Sequence, residues 1–584
     1  MSPHFVDRIL LQNRLFAELS RMFGIEVPLY DRALLVNRAT NEAVCEVLCK
    51  LHHGFHITAQ QLERTSGERH GAIRIGRPDE YRWVSRYFGV FGMEPHNFYG
   101  MTALGPKSQP IIATAFRSVT RPEHRVFTSL LMTDCFDAAM RTRLDALLAQ
   151  RTVFSERAKE LIERCEQQGG LSADDGEALV REGVERIFKW TGAARDIGLY
   201  KELCDAGFKI AADIACFQDH HLNHLTPNTL LMDLYTASMK HCLGELDEAA
   251  FRTRATTALT RVAAVADRDW LCLHFSHLSH AEIDSYQPGT VTAADIAALV
   301  NGLVTTFRGE TFQLHKLSHA GFKDYTEGPS QDTPILLRQD AYRALTEPVV
   351  FTEDDGSTVM ATHTARFGEI EERFYACTAK GREMYDQCLA QADAVRERDP
   401  KLPQRDFAAY EALYAAPFAK FPKTLPELIA ADLVLARFAP TTAGIAAAKA
   451  GAVTSTDMTE LLRQGYVQCE GLRYEDFLPV SAAGIFASNL NQYGTKSTAA
   501  IQPTYKQRHL EEIIGRPIID ATAVYAGIDA ASRVDTYKKL GLLERLPAGE
   551  SERMLGAVAL AERTVESFRI PAGIHERRGE QAGA

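Results

Sequence analysis

The sequence predicts an α+β fold in which two βαβββ-type modules are embedded in extensive helical segments. Three observations lead there. Apolar residues recur at helical spacing over most of the chain. Between residues 66 and 134 that spacing gives way to a strand, a helix and three more strands. A second group of strand candidates follows residue 209. One such module curls into only half a barrel, so a closed site needs both.

Residues 1–65 form an N-terminal helical segment. Leu10, Leu11, Leu15, Phe16 and Leu19 make an amphipathic stripe, and a second helix is expected over about 40–52. Residues 66–134 hold the first module. A short strand, His70–Ile75, leads into a helix over Asp79–Phe88 whose first turn is acidic. The strands Asn97–Met101, Ile111–Val119 and Arg125–Leu131 follow, with Gly and Pro marking the gaps. Residues 135–208 are a helical connection broken at Gly169-Gly170.

The second module spans 209–379. It opens on a strand-like run, Ile210–Phe217, and on the cluster His220-His221-Leu222-Asn223-His224. A helical block over about 236–313 is expected as an insertion. Strand candidates resume at Ile335–Arg338, Val349–Thr352 and Thr364–Ala376. Residues 380–584 are expected to be mainly helical, with an alanine-rich stretch at 441–452 and a disordered polar tail after Pro571. No short-period repeat is present.

Composition narrows the function. A net charge of −11 and a pI near 6.0 argue against a nucleic-acid surface. No apolar run is long enough to span a bilayer. Residues Met1–Arg8 include Asp7 and no basic stretch ahead of a long apolar one, so no secretory signal is expected. The eleven cysteines contain no Cys-x-x-Cys pair, and Cys45 and Cys49 sit four apart on an expected helix. Reduced thiols and a cytoplasmic location follow.

Alternation along the first strand puts His70, Ala72 and Arg74 on one face. That face offers a metal-capable imidazole beside a guanidinium able to grip a carboxylate. His224 lies in Asn223-His224-Leu225-Thr226-Pro227, and Glu369 and Glu371 in Phe367-Gly368-Glu369-Ile370-Glu371. Two histidines and one carboxylate make the facial triad of non-haem Fe(II) oxygenases. The plainer readings are a hydrogen-bonded core histidine, a solvated arginine, and a surface ion-pair strip of Glu369, Glu371 and Arg373. Inside a barrel, two acids on one face are costly unless a cation is present. His274, His277 and His280 are three apart and are expected to form a polar helix face. There is no Gly-x-Gly-x-x-Gly opening a βαβ unit, P-loop, Gly-x-Ser-x-Gly elbow or His-Glu-x-x-His motif.

Taken together, several segments resemble the 2-oxoadipate dioxygenase/decarboxylase family, also called hydroxyglutarate synthase. They are Arg69–Arg74, Ala113–Arg117, Arg125–Leu131, Asn223–Pro227, Ile335–Gln339, Phe367–Glu371 and Tyr474–Phe486, in family order. The resemblance implies a vicinal-oxygen-chelate-like barrel, similar in metal site to the 4-hydroxyphenylpyruvate and hydroxymandelate dioxygenases. It implies Fe(II) held by His70, His224 and Glu369, with Glu369 preferred over Glu371 because the related dioxygenases place the ligand four residues before an arginine, as Glu369 stands before Arg373. Arg74 resembles the arginine that binds the substrate carboxylate, Val480 and Ser481 match the pocket-lining segment, and Gln339 is a further pocket candidate.

The implied reaction converts 2-oxoadipate and O2 to 2-hydroxyglutarate and CO2, within lysine catabolism. The implied partners are a small 2-oxo acid and O2, with no nucleic acid or membrane. The sequence departs from the family at the helical block and at Glu372 and Phe374, where related sequences more often carry Gln and Gly. The alternatives are a metal-dependent isomerase or lyase using Zn or Mn, and a non-catalytic binder of 2-oxo acids.

Overall fold

Strand β1 (Glu68–Ile75) is central to the architecture, because Arg125–Leu131 pairs with it on one side and His224–Pro227 on the other. A computed structural model describes residues 5–103, 108–317, 328–329, 332–366, 368–399, 401–478 and 503–566. Two long helices, α1 (Arg8–Glu26) and α2 (Pro28–Leu51), precede β1. The second begins at Pro28, well before the expected residue 40. Proline suits a first helical turn, where its missing N–H costs nothing.

After β1 come helix α3 (Pro78–Val90) and strands β2 (Glu94–Gly100), β3 (Ile111–Arg117) and β4 (Arg125–Leu131). This is the expected βαβββ order. Every residue of β3 and β4 is buried. One face, with Ile112, Phe116, Val126 and Leu130, packs with Tyr81, Val84 and Phe88 of α3. The other, with Ile111, Ala113, Phe127 and Leu131, faces the interior. Alternation along β1 divides its side chains in the same way: Ile73 and Ile75 join the helical core, and Ala72 the interior cluster. Gly71 permits the close pairing there, since a Cβ would stand 3.0 Å from Leu222 and 3.2 Å from the His224 carbonyl oxygen.

Further strands are β5 (Ala193–Arg195), β6 (His224–Pro227), β7 (Leu337–Ala341), β8 (Thr346–Thr352), β9 (Thr358–Thr364) and β10 (Glu369–Arg373). The main sheet has the order β2-β3-β4-β1-β6. β1 runs parallel to β4 and antiparallel to β6. A three-stranded sheet has the order β9-β8-β5, and β10 pairs with β7. The β10 edge meets the end of β6 where the Thr229 N–H donates to the Glu371 carbonyl at 2.8 Å.

The α+β class holds; among the described residues no closed barrel is detected, and the strands divide into separate sheets linked by such bridges. Thr364–Ala376 is likewise two elements, the end of β9 and then β10.

Ile210–Phe217, expected as a strand, is helix α4 (Lys209–Cys216). A short apolar run carries no periodicity that separates helix from strand, and Ala211, Ala212 and Ala215 favour the helix here. Helix α5 (Met232–Cys242) opens the helical block, which continues through Phe307.

Among the described residues beyond 380, helices predominate. This region also contains an antiparallel pair, β11 (Ala436–Pro440) and β12 (Val467–Gly471). Helices α6 (Ala521–Lys539) and α7 (Ala548–Glu566) pack together at the C-terminal end. The polar tail lies outside the described residues. Among those described, no helix is long and apolar enough to cross a membrane, and all eleven cysteines are free thiols.

A buried ion pair fixes α3 against the segment that leads to His224. Arg151 Nη2 lies 2.6 Å from Glu80 Oε2 and its Nε 3.0 Å from Oε1. Its Nη1 donates to the Ile214 carbonyl at 2.8 Å. Burial alone would raise the Glu80 carboxyl, but His220 and Arg151 prevail and hold it well below the usual carboxylate range. This stabilisation is present above the unfolded-state value of about 4.3 and is lost as pH falls through the folded value. Glu80→Gln is expected to cost about 3–5 kcal/mol at neutral pH, because it strands a buried guanidinium. Urea unfolding checks this, and an unchanged midpoint would remove the pair from the stability of the fold.

Candidate metal centre

His70 and His224 reach one another through strand register. In the β1–β6 ladder Ala72 stands opposite His224 and His70 opposite Thr226, so both imidazoles project from neighbouring strands. Their rings meet edge to face with centroids 5.5 Å apart. Glu369 opens β10, the strand that adjoins the end of β6.

Glu369 Oε2 lies 3.2 Å from His70 Nε2 and 3.6 Å from His224 Nε2. One donor atom from each residue falls within 4.8 Å of the others, and all three residues are buried. Among the described residues this is the one group of His, Cys, Asp and Glu side chains spaced to hold a metal ion.

The residues fit such an ion. Glu369 Oε1 is buried with no hydrogen-bond partner, a costly state for a carboxylate that a cation would relieve. Burial pushes the His224 imidazole down to about 4, against the pull of Glu369, so it is neutral, as a metal ligand must be. Thr226 Oγ1 donates to Glu369 Oε2 at 3.1 Å and steadies the carboxylate. Two imidazoles and one carboxylate would leave the remaining coordination positions to small molecules.

Glu371 shares the strand face with Glu369, as alternation requires, but its surroundings are different. Its Oε2 lies 2.9 Å from His70 Nδ1. Arg373 grips it with two donors, Nε to Oε1 at 2.5 Å and Nη2 to Oε2 at 2.8 Å. Burial would raise this carboxyl, but Arg373, His70 and Arg125 together hold it well below its usual range. The strip of Glu369, Glu371 and Arg373 is thus fully internal rather than a surface feature. Glu371 stands behind His70, a place where carboxylates are typical next to metal-binding histidines.

The other sequence candidates fall in distinct places. Arg74 shares the His70 face, and its Nη1 lies 2.5 Å from Asp213 Oδ2. Gln339 is buried opposite Glu371 in the β7–β10 ladder, with no hydrogen-bond partner for its Nε2. Val480 and Ser481 lie outside the described residues. Of the clustered histidines only His224 reaches the centre; His220 pairs with Glu80 at 3.3 Å, and His221 with Asp213 and Asp219.

His274, His277 and His280 do not form the expected helix face. A helix ends at His274, which is buried against Trp270, and His280 begins the next helix and lies 3.0 Å from Glu470.

Phe477, Thr226 and Asp213 were not visible as site residues. The Phe477 ring packs on His70 at 4.8 Å and on Phe127 at 5.3 Å, forming an apolar wall. The nearest sequence signal for Thr226 is its two-residue spacing from His224, which puts both on one strand face.

A model of the 2-oxoadipate dioxygenase/decarboxylase family matches residues 15–248 and 268–489. The 2-oxoadipate dioxygenase/decarboxylase of Pseudomonas putida is 33% identical over 531 residues, covering 89% of this chain and 95% of that protein. The Escherichia coli protein of the same name is 30% identical over 532 residues, covering 90% and 96%. The crystal structure of hydroxyglutarate synthase from Pseudomonas putida in complex with 2-oxoadipate has a TM-score of 0.61 at 30% identity, covering 92% of this chain and 99% of that one. The match runs through all three strands that carry His70, His224 and Glu369, and the chain belongs to the 2-oxoadipate dioxygenase/decarboxylase family.

Proposed function

We propose that this protein converts 2-oxoadipate and O2 to 2-hydroxyglutarate and CO2, with Fe(II) held by His70, His224 and Glu369. One observation carries the reading: three buried donor groups of the right types converge within 4.8 Å, in a chain 33% identical to a protein of that activity. We read β1-α3-β2-β3-β4 and the strands from β6 to β10 as two vicinal-oxygen-chelate-like halves facing one another across this cluster. The block at about 236–313 is an insertion in the second half. The free thiols support a reading of a reducing compartment, the cytoplasm, and the pathway in this reading is lysine breakdown.

Bound Fe(II) would supply the redox chemistry that couples loss of CO2 to hydroxylation of the shortened acid. The balance closes: both oxygen atoms of O2 enter the products, and the six-carbon diacid becomes a five-carbon hydroxy diacid.

The protein's part is to bind, orient and exclude water. Glu371 orients His70 from behind. Phe477 and Phe127 wall the His70 side with apolar surface. Arg74 projects from the His70 face and grips the distal carboxylate, fixing which carbon faces the metal; a guanidinium fork suits that task better than an ammonium. Holding the shortened acid in place makes the second step a proximity effect. The Gln339 amide offers a spare buried donor.

Anaerobic loading with Fe(II), followed by oxygen uptake and product analysis, tests the reaction. Uptake with stoichiometric 2-hydroxyglutarate and CO2 is expected from 2-oxoadipate and not from 2-oxoglutarate. No uptake with either acid would return the protein to the isomerase or binder readings.

His70→Ala is expected to lose its iron, read as metal content after purification; full retention would remove His70 from the ligand set. Glu371→Gln should keep the site but weaken metal affinity by about 10–100-fold. Arg74→Lys should lower kcat/KM for 2-oxoadipate by roughly 10–100-fold, the scale of one charged hydrogen bond, with thermal unfolding unchanged.

A further inference from the structure

The residue facing Arg74 is as deliberately held as the metal ligands. Asp213, from α4, is fully buried, and its two oxygens have separate tasks. Oδ1 lies 2.9 Å from His363 Nε2 and 3.3 Å from His221 Nε2. Oδ2 faces Arg74 Nη1 at 2.5 Å. Each imidazole is fixed from its other side. His363 Nδ1 lies 2.8 Å from the Tyr200 hydroxyl. His221 Nδ1 lies 2.8 Å from Asp219, whose other oxygen accepts from Thr191 at 2.6 Å. The Trp190 ring packs against both imidazoles. A carboxylate fixed in this way through one oxygen presents the other in a set direction.

We propose that Asp213, clamped by His221 and His363, positions the Arg74 guanidinium for the distal carboxylate and thereby sets selectivity for dicarboxylic 2-oxo acids. The proposal rests on the reading of Arg74 as the carboxylate clamp. It explains why a clamp arginine carries a partner of its own. Asp213 takes one nitrogen, and the rest of the fork remains for a ligand.

The charges agree. Burial opposes protonation of His221, but Asp213 and Asp219 on either side raise it to about 9. His221 therefore offsets Asp213 and leaves the Arg74 cation available to an incoming anion. Lys209, at the start of α4, is also within electrostatic reach of Asp213 and adds positive charge when protonated.

The test uses the iron-loaded enzyme, with 2-oxoadipate compared against 2-oxohexanoate, which has the same chain length but no distal carboxylate. In Asp213→Asn, KM for 2-oxoadipate should rise about tenfold, the scale of a charged hydrogen bond, while kcat falls by less and iron content is unchanged. The preference for 2-oxoadipate over 2-oxohexanoate should fall by a similar factor. In an Arg74→Ala background, Asp213→Asn should change that preference no further.

An unaltered preference in Asp213→Asn, equal loss on both acids, or an additive effect in the double variant would overturn the proposal. If Asp213→Asn does not fold, His363→Gln keeps the carboxylate but loosens Oδ1, and it should lower the preference in the same sense; an unchanged preference there overturns the proposal too. Wild-type enzyme that turns over neither acid would overturn the functional reading itself, a result distinct from a wild type that prefers 2-oxoadipate and a variant that keeps the preference.

Discussion

Two carboxylates, Glu369 and Glu371, are buried on one face of β10 beside His70, and the rest of the structure is arranged around that cost. An ionised carboxylate at zero exposure is untenable without compensation. Glu371 is compensated by Arg373, by the back of His70, and more distantly by Arg125 at 3.9 Å. Arg373 donates in turn to the carbonyls of Tyr474 and Asp476, and Arg125 reaches Glu475 at 2.8 Å. These bonds bring the segment 474–477 over the site and put Phe477 against His70. The neutralisation of one acid thus builds the apolar wall of the centre, and leaves Glu369 as the acid free to face a cation.

Long-range buried ion pairs do similar work elsewhere. Arg366 joins Glu347 to Glu26 and so ties β8 to the first helix. Arg117 on β3 grips Asp476 with two donors, and Tyr525 on α6 donates to the same carboxylate at 2.7 Å. Arg151 binds α3 to the end of α4. The Arg366–Glu26, Arg117–Asp476 and Arg151–Glu80 pairs link segments far apart in sequence, and each would be strongly destabilising if broken on one side only. The helical segments are therefore anchored to the strands by directional contacts as well as by apolar packing. That suits a site whose ligands come from three strands in two different sheets.

What could be read from the sequence followed from periodicity, and what could not depended on distant partners. Alternation put His70 and Arg74 on one face and Glu369 and Glu371 on another, and the strand-helix-strand order of the first module was legible from turn residues and apolar spacing. The difference between Glu369 and Glu371 was not legible from spacing alone, because identical residues two apart on a strand share every local property. Only their partners separate them: Arg373 and His70 Nδ1 for one, Thr226 and the paired Nε2 atoms for the other. The strand reading of Ile210–Phe217 hid Asp213, since α4 turns that residue toward Arg74. The pairing of β5 with β8 could not be read either, because three residues of strand carry no periodicity of their own.

The opposite face of β10 accounts for one of the departures from the family pattern. Glu372, where the resemblance to the family led to the expectation of Gln, points away from the metal centre toward α5, accepting from the Met232 N–H at 3.1 Å. Burial raises its carboxyl to about 8, against the opposing pull of Arg338 3.6 Å away. At neutral pH that side chain is mostly the neutral acid, with one O–H donor and one carbonyl acceptor. A glutamine at the same position offers an N–H donor and a carbonyl acceptor of nearly the same shape. A neutral Glu372 therefore preserves the hydrogen-bonding character that Gln would have there, without adding a third negative charge to the strand. Alternation confines the change to the side of β10 that faces the helices, so Glu369 and Glu371 keep their separate tasks on the other side.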